Sequence, residues 1–175
     1  MAPSIDEDAP LFPTPVLQVP RYLPPNTSQT PQQSLEYLER MRSLLNTSRV
    51  EGVISADEHL GSGTKAIIGS SIIIWFIGYA LESGTIFDRA TIEHGTPLRY
   101  ILGAGFSPAL DQGIIGMRAG GSRSIIIPAS QRQGEVFDVS IQVPPCAEAL
   151  CIRVWLLSSL APDTHFIDTS NLITA

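Results

Sequence analysis

From Ala66 to Leu81 sixteen residues, AIIGSSIIIWFIGYAL, pass without a charged side chain. So much apolar surface has to leave water, either into a bilayer or into a protein core. A membrane-spanning helix usually takes about 20 predominantly apolar residues. This run is shorter, is interrupted by Gly69, Ser70, Ser71 and Gly78, and is rich in isoleucine. It predicts two buried strands or one long bent one, and no membrane span.

The surrounding sequence continues in the same style. EGVIS, TKAII, SIIIWFIGYAL, LRYIL, SRSIIIP, VFDVSIQV and ALCIRVWLL are separated by glycine, proline and serine. Short β-branched runs between turn residues predict an antiparallel, mainly β sheet. One helix interrupts them, with Ser107 as N-cap, Pro108 in the first turn and Gly116 as its stop. A second helix starts at Thr30, with Pro31 at the first helical position and Gln33 placed to close a capping box, and runs to about Asn46. Leu35, Leu38, Met41 or Arg42, and Leu45 recur along it at helical spacing, as one apolar stripe for docking.

Before that helix, Met1 to Pro31 carries eight of the chain's 14 prolines. Such a segment cannot form a ladder or a helix, so an extended tail is predicted. Its Leu11, Phe12, Val16, Leu17 and Val19 are more apolar than a linker needs, and can lie across the domain or a partner. The layout is thus a proline-rich tail (1–31), an N-terminal helix (32–49), a domain (50–160) and a polar C-terminal tail (161–175).

The 175 residues, 43% of them hydrophobic, suffice for one domain with an extension. A net charge of −6 with no basic block argues against nucleic acid or an anionic membrane as partner. The acidic start, MAPSIDEDAP, lacks the basic region of a signal peptide, and a cytoplasmic protein is expected. On one strand Cys146 and Cys151 would face opposite ways, which predicts two buried thiols and no local disulfide. The triplets Asn26-Thr27-Ser28 and Asn46-Thr47-Ser48 matter only in a secreted chain. His59, His94 and His165 show no ligand spacing, so neither metal nor cofactor is expected. Gly120-Gly121 is followed by a strand, hence a turn and not a phosphate cradle.

Between Trp75 and Pro128 the landmarks GYALESG, Phe87-Asp88, PLRYILG and GMRAGGSRSIIIP occur in an order and spacing that resembles the FKBP-type peptidyl-prolyl isomerase domain. Gly69, Gly84, Gly113 and Met117 fall on further family positions, as do Val143-Pro144-Pro145. The resemblance covers about Val50 to Leu157. It implies an α+β fold, a bent antiparallel β-sheet (half-barrel) wrapped on a short α-helix, here with the N-terminal helix and tail added.

Isomerases of that family use no nucleophile. An apolar, largely aromatic cup favours the twisted imide of an Xaa-Pro bond over the planar form, whose barrier of ~18–20 kcal/mol comes from amide resonance. The resemblance implies Phe87, Asp88 and Gln133 as catalytic residues, with Gln133 in place of a tyrosine. It implies a substrate-binding cup of Ile77, Tyr79, Leu98, Tyr100, Phe106, Ser107, Leu110 and Ile152, several of them aliphatic where the family has rings. Fewer rings predict altered or weak isomerase activity on prolyl peptides or proteins. A general-base role for Asp88 is disfavoured, because the family uses that acid for hydrogen bonding.

Two other readings stay open. The fold can serve as a non-catalytic interaction module, meeting a partner protein through residues 1–45. It can also be an FKBP fold repurposed to bind or transform a small hydrophobic molecule, with Asp88, Tyr79, His94 or Gln133 as polar participants.

Overall fold

The computed structural model describes residues 28–49, 51–104, 107–132 and 148–162. The proline-rich tail up to residue 27, VFDVSIQV, Cys146 and the segment from residue 163 lie outside the described residues.

Helix α1 (Pro31–Thr47) begins where its capping chemistry dictates. Gln33 N–H donates to Thr30 Oγ1 at 3.2 Å, and Thr30 N–H donates to Gln33 Oε1 at 3.0 Å. Its docking face is rotated from the expected stripe: Tyr37, Leu38 and Met41 are buried, whereas Leu35 is 54% exposed. The reason is polar, since Tyr37 inserts a hydroxyl that finds partners beneath the helix.

Among the described residues six strands form one sheet: β1 (Ile54–His59), β2 (Ser71–Ala80), β3 (Ile86–Ala90), β4 (Leu98–Ile101), β5 (Ser122–Ile127) and β6 (Leu150–Leu160). Helix α2 (Pro108–Ile114) connects β4 to β5. The order is β1-β5-β6-β2-β3, every pairing is antiparallel, and β4 pairs with the first half of β2 as β3 pairs with the second. The bent antiparallel sheet with its helices is an FKBP-like α+β fold.

The uncharged run resolves into a single strand, β2, preceded by a loop. TKAII does not become a strand: Lys65 makes one isolated bridge to Arg118, and Ala66 exchanges its backbone bonds with Met117 and Gly116 in the turn after α2. These bonds hold the backbone of Ala66 away from the ladder, leaving Ile67 and Ile68 exposed. Conversely β3, absent from the expected strands, forms around Phe87-Asp88. No helix among the described residues is long and apolar enough to cross a membrane.

Alternation along the strands divides the sheet into two faces. Trp75, Ile77 and Tyr79 of β2 stand beside Trp155, Arg153 and Cys151 of β6 on the face that receives α1. Ile74, Phe76 and Gly78 stand beside Leu156, Val154 and Ile152 on the face that receives α2. Helix α2 approaches so closely that a Cβ on Gly113 would collide with the Ile125 side chain. Arg123 on β5 then holds the end of α2, its Nη1 donating to the carbonyls of Gly113 at 2.8 Å and Ile115 at 3.2 Å while its Nε meets Asp57 at 2.6 Å.

Candidate active site

The site begins with a bulge. In the β2–β3 pairing Gly78 faces Asp88 but Tyr79 faces Ile86, so Phe87 is an extra residue without an opposite number. Its ring lies across the bare backbone of Gly78. A Cβ on Gly78 would stand 2.5 Å from Phe87 Cζ and 2.9 Å from Cε2, space that no other residue leaves open. This is the face that α2 covers. Asp88 follows half-buried at the same level, its Oδ1 accepting from Arg89 N–H at 2.8 Å.

On β4, Leu98 and Tyr100 pair with Ile74 and Ile72 and therefore share that face. Tyr100 is set against Asp111 of α2. Burial first, and the Asp111 charge second, push its hydroxyl well above the usual tyrosine range, so it stays a protonated donor. Asp111 Oδ2 accepts from Gly103 N–H at 3.0 Å, tying the end of the β4 segment to α2.

Helix α2 contributes Leu110, 1% exposed, and is started by Ser107, whose Oγ accepts from Leu110 N–H at 3.2 Å. Ser107 is itself fully buried, its hydroxyl committed to the cap. Ile152 of β6 sits opposite Gly78 and is 1% exposed.

One face of the sheet therefore collects Phe87, Asp88, Leu98, Tyr100, Ser107, Leu110 and Ile152 around α2. Phe106 and Gln133 lie outside the described residues. Ile77 and Tyr79 stand on the opposite face, under α1, with His94 lining the same cavity there. The physical reason is the alternation of β2 against β6, which sets Ile77 and Tyr79 beside Arg153 and Cys151, while the extra residue Phe87 turns its ring to the other face, that of Gly78. The aromatic ring that β2 presents to the α2 face is Phe76, 3% exposed, which the sequence reading missed. The glycine two residues after it, needed for the Phe87 ring, was the available signal.

Chemically the collection is a largely buried apolar cluster with the Asp88 carboxylate at its edge and the buried Asp111 carboxylate behind Tyr100. Among the described residues no three His, Cys, Asp or Glu side chains gather as a metal site. Nothing described there is a primed nucleophile either, since the Ser107 hydroxyl caps a helix and the buried Cys151 belongs to the other face.

A family model described as FKBP-type peptidyl-prolyl cis-trans isomerase matches residues 63–151. The chain is 41% identical over 76 residues to an FK506-binding protein of Streptomyces anulatus, covering 43% of this chain and 60% of that protein. It is 38% identical over 85 residues to the peptidyl-prolyl cis-trans isomerase FPR2 of Saccharomyces cerevisiae, covering 48% and 62%. The match thus spans less than two thirds of either relative. Among solved structures it is similar to AtFKBP13, with a TM-score of 0.50 and 26% identity over 62% of this chain and 93% of that one. The fold is shared with FkpA from Escherichia coli at a TM-score of 0.54 and 20% identity, over 73% of this chain and 60% of that one.

Proposed function

The chain belongs to the FKBP-type peptidyl-prolyl cis-trans isomerase family, and on that premise we propose that it isomerises Xaa-Pro bonds of peptides or proteins in the cup on the α2 face, more slowly than an aromatic-walled cup would. The observation that carries this reading is the Phe87 ring seated over Gly78 with Asp88 beside it, facing the same side as Leu98, Leu110 and Ile152.

The barrier to be lowered, ~18–20 kcal/mol, is amide resonance. A prolyl ring against Phe87 and Leu110 leaves water, and its imide carbonyl loses the hydration that favours the planar, charge-separated form. Asp88 orients the peptide at the rim, and Gln133 supplies an amide donor to a substrate carbonyl. Aliphatic side chains at Leu98, Leu110 and Ile152 offer less flat contact area than rings, which supports weaker discrimination between twisted and planar imide.

The test is two-dimensional exchange NMR on an Xaa-Pro tetrapeptide, where uncatalysed exchange takes tens of seconds. Wild-type protein should accelerate exchange, and Phe87→Ala should remove at least nine tenths of the acceleration. No acceleration at millimolar protein overturns the proposal, and saturable peptide binding without acceleration replaces it by the non-catalytic interaction module.

A further inference from the structure

The cup joins parts of separate origin: Leu98 and Tyr100 belong to β4, and Leu110 belongs to α2. Strand pairing holds β4 against β2, and Arg123 fastens the far end of α2 to β5. Between β4 and the beginning of α2 the link is Asp111, 5% exposed. Its Oδ2 accepts from Gly103 N–H at 3.0 Å, and the hydroxyl of Tyr100 faces the same carboxylate. Gly103 lies beyond the β4 ladder in a turn at φ +88°, so its N–H has to find a partner outside the sheet.

An acid in the first turns of a helix is favoured by the helix dipole, but it gains that benefit from the solvent side. Asp111 is buried instead. There a carboxylate loses hydration, and a well-packed apolar side chain serves stability as well or better. What the carboxylate adds is direction. Two donors carried by the β4 segment fix Asp111, and with it the adjoining Leu110, at one distance from the Tyr100 ring.

We propose, resting on the isomerase reading, that Asp111 is a positioning residue for prolyl isomerisation, which sets the spacing between the Tyr100 wall and the Leu110 floor of the cup. A planar prolyl peptide buries its ring against a loosely placed wall almost as well as against a fixed one. The twisted imide needs wall and floor in register, so the contribution of Asp111 falls on the step from bound peptide to transition state. Asp111 acts through Tyr100 and Leu110, without touching the peptide.

The test measures kcat and KM by exchange NMR on the Xaa-Pro tetrapeptide, using the full chain. Asp111→Ala should lower kcat at least tenfold and leave KM within threefold, in an otherwise native amide spectrum. Asp111→Asn, whose side-chain amide can still accept from Gly103 N–H and meet the Tyr100 hydroxyl, should keep at least half of the wild-type kcat. Tyr100→Phe should lose severalfold, and adding it to Asp111→Ala should cost nothing further, because its hydroxyl then has no carboxylate to meet. If Asp111→Ala does not fold, Asp111→Asn and Tyr100→Phe carry the comparison. Wild-type kcat in Asp111→Ala or Tyr100→Phe, a loss lying wholly in KM, or a tenfold loss of kcat in Asp111→Asn overturns this inference while the isomerase reading stands. No acceleration by the wild-type protein removes that reading and this inference with it.

Discussion

The Tyr37 hydroxyl on α1 lies 2.7 Å from Ser124 Oγ on β5, inside the protein, although 87 residues separate them in sequence. Ser124 Oγ donates onward to Glu58 Oε1 at 2.6 Å, so it must accept from Tyr37. Glu58 Oε2 in turn receives both Nε and Nη2 of Arg153, at 2.9 and 2.7 Å. The Arg153 guanidinium completes the assembly by lying over the Tyr37 ring at 4.8 Å and the Trp155 ring at 5.1 Å. A directional chain of donors therefore sets the rotation of α1 on the sheet, which apolar contact alone would leave adjustable.

Tyr37→Phe keeps the ring and removes the donor. Ser124 retains Glu58 as a partner, so the expected loss is about 1–2 kcal/mol, the range for a buried hydrogen bond with one group left unmatched. Urea denaturation reads this as a lower midpoint with an unchanged slope. Faster hydrogen exchange confined to α1 would locate the effect at its docking; uniform acceleration across the sheet would contradict it.

Glu58→Gln tests the charge. The substituted amide oxygen can still accept from Ser124, but Arg153 would keep its positive charge at 18% side-chain exposure with its carboxylate gone. Breaking a buried pair from one side costs about 3–5 kcal/mol, and partial solvation puts this case near about 2–3 kcal/mol. Added salt should narrow the difference only slightly, because a partly buried pair is weakly screened. A loss that vanishes in molar salt would reassign the pair to the surface.

Gly78→Ala places a methyl group 2.5 Å from Phe87 Cζ. The ring must swing off the sheet, at an overpacking cost of about 1–3 kcal/mol. Prolyl exchange should fall at least tenfold, while Gly78→Ala combined with Phe87→Ala should regain most of the stability lost by Gly78→Ala alone. Simple additivity of the two changes would show that the residues do not share this contact.

Alkali should weaken the fold from about pH 9. Burial, with the Glu58 charge adding to it against the Tyr37 bond, pushes the Cys151 thiol up to about 12 from 9.0. Burial also raises Tyr37 well above the tyrosine range. The unfolded chain therefore releases protons first, so stability is complete below the unfolded pKa of Cys151 and falls as pH rises toward about 12. In a Cys146→Ser background, Cys151→Ala should flatten that alkaline slope. An alkylating agent should label Cys151 at pH 8 only as fast as the protein opens; immediate labelling of native protein would show that the thiol is not buried.

Much of the α2 face was legible because its determinants are local or compositional. Ser107 and Pro108 announce α2, and a bulky residue at position 110 of a seven-residue helix is buried in any packing of that face. Leu98 and Tyr100 came from the resemblance of PLRYILG, and the two-residue period of a strand agrees in setting them on one face. Ile77, Tyr79 and Phe76 were not legible in this way, since which of them shares a face with Phe87 depends on that residue being the bulged one in the neighbouring strand. No propensity marks Phe87 as that residue; the vacancy over Gly78, visible only once both strands are paired, does.

By itself the sequence determined the elements: the capping box at Thr30 and Gln33, the start of α2 at Ser107, and a central strand that no charge interrupts. These depend on hydrogen bonds and hydrophobic periods within a few residues, which act before the chain meets itself. Only the tertiary structure decided the faces. The bulge at Phe87 put its ring on the face of Phe76 and Gly78, away from Tyr79, and Tyr37 chose the docked face of α1 by reaching Ser124, because directional contacts between distant residues exist only after strands and helix have been brought together.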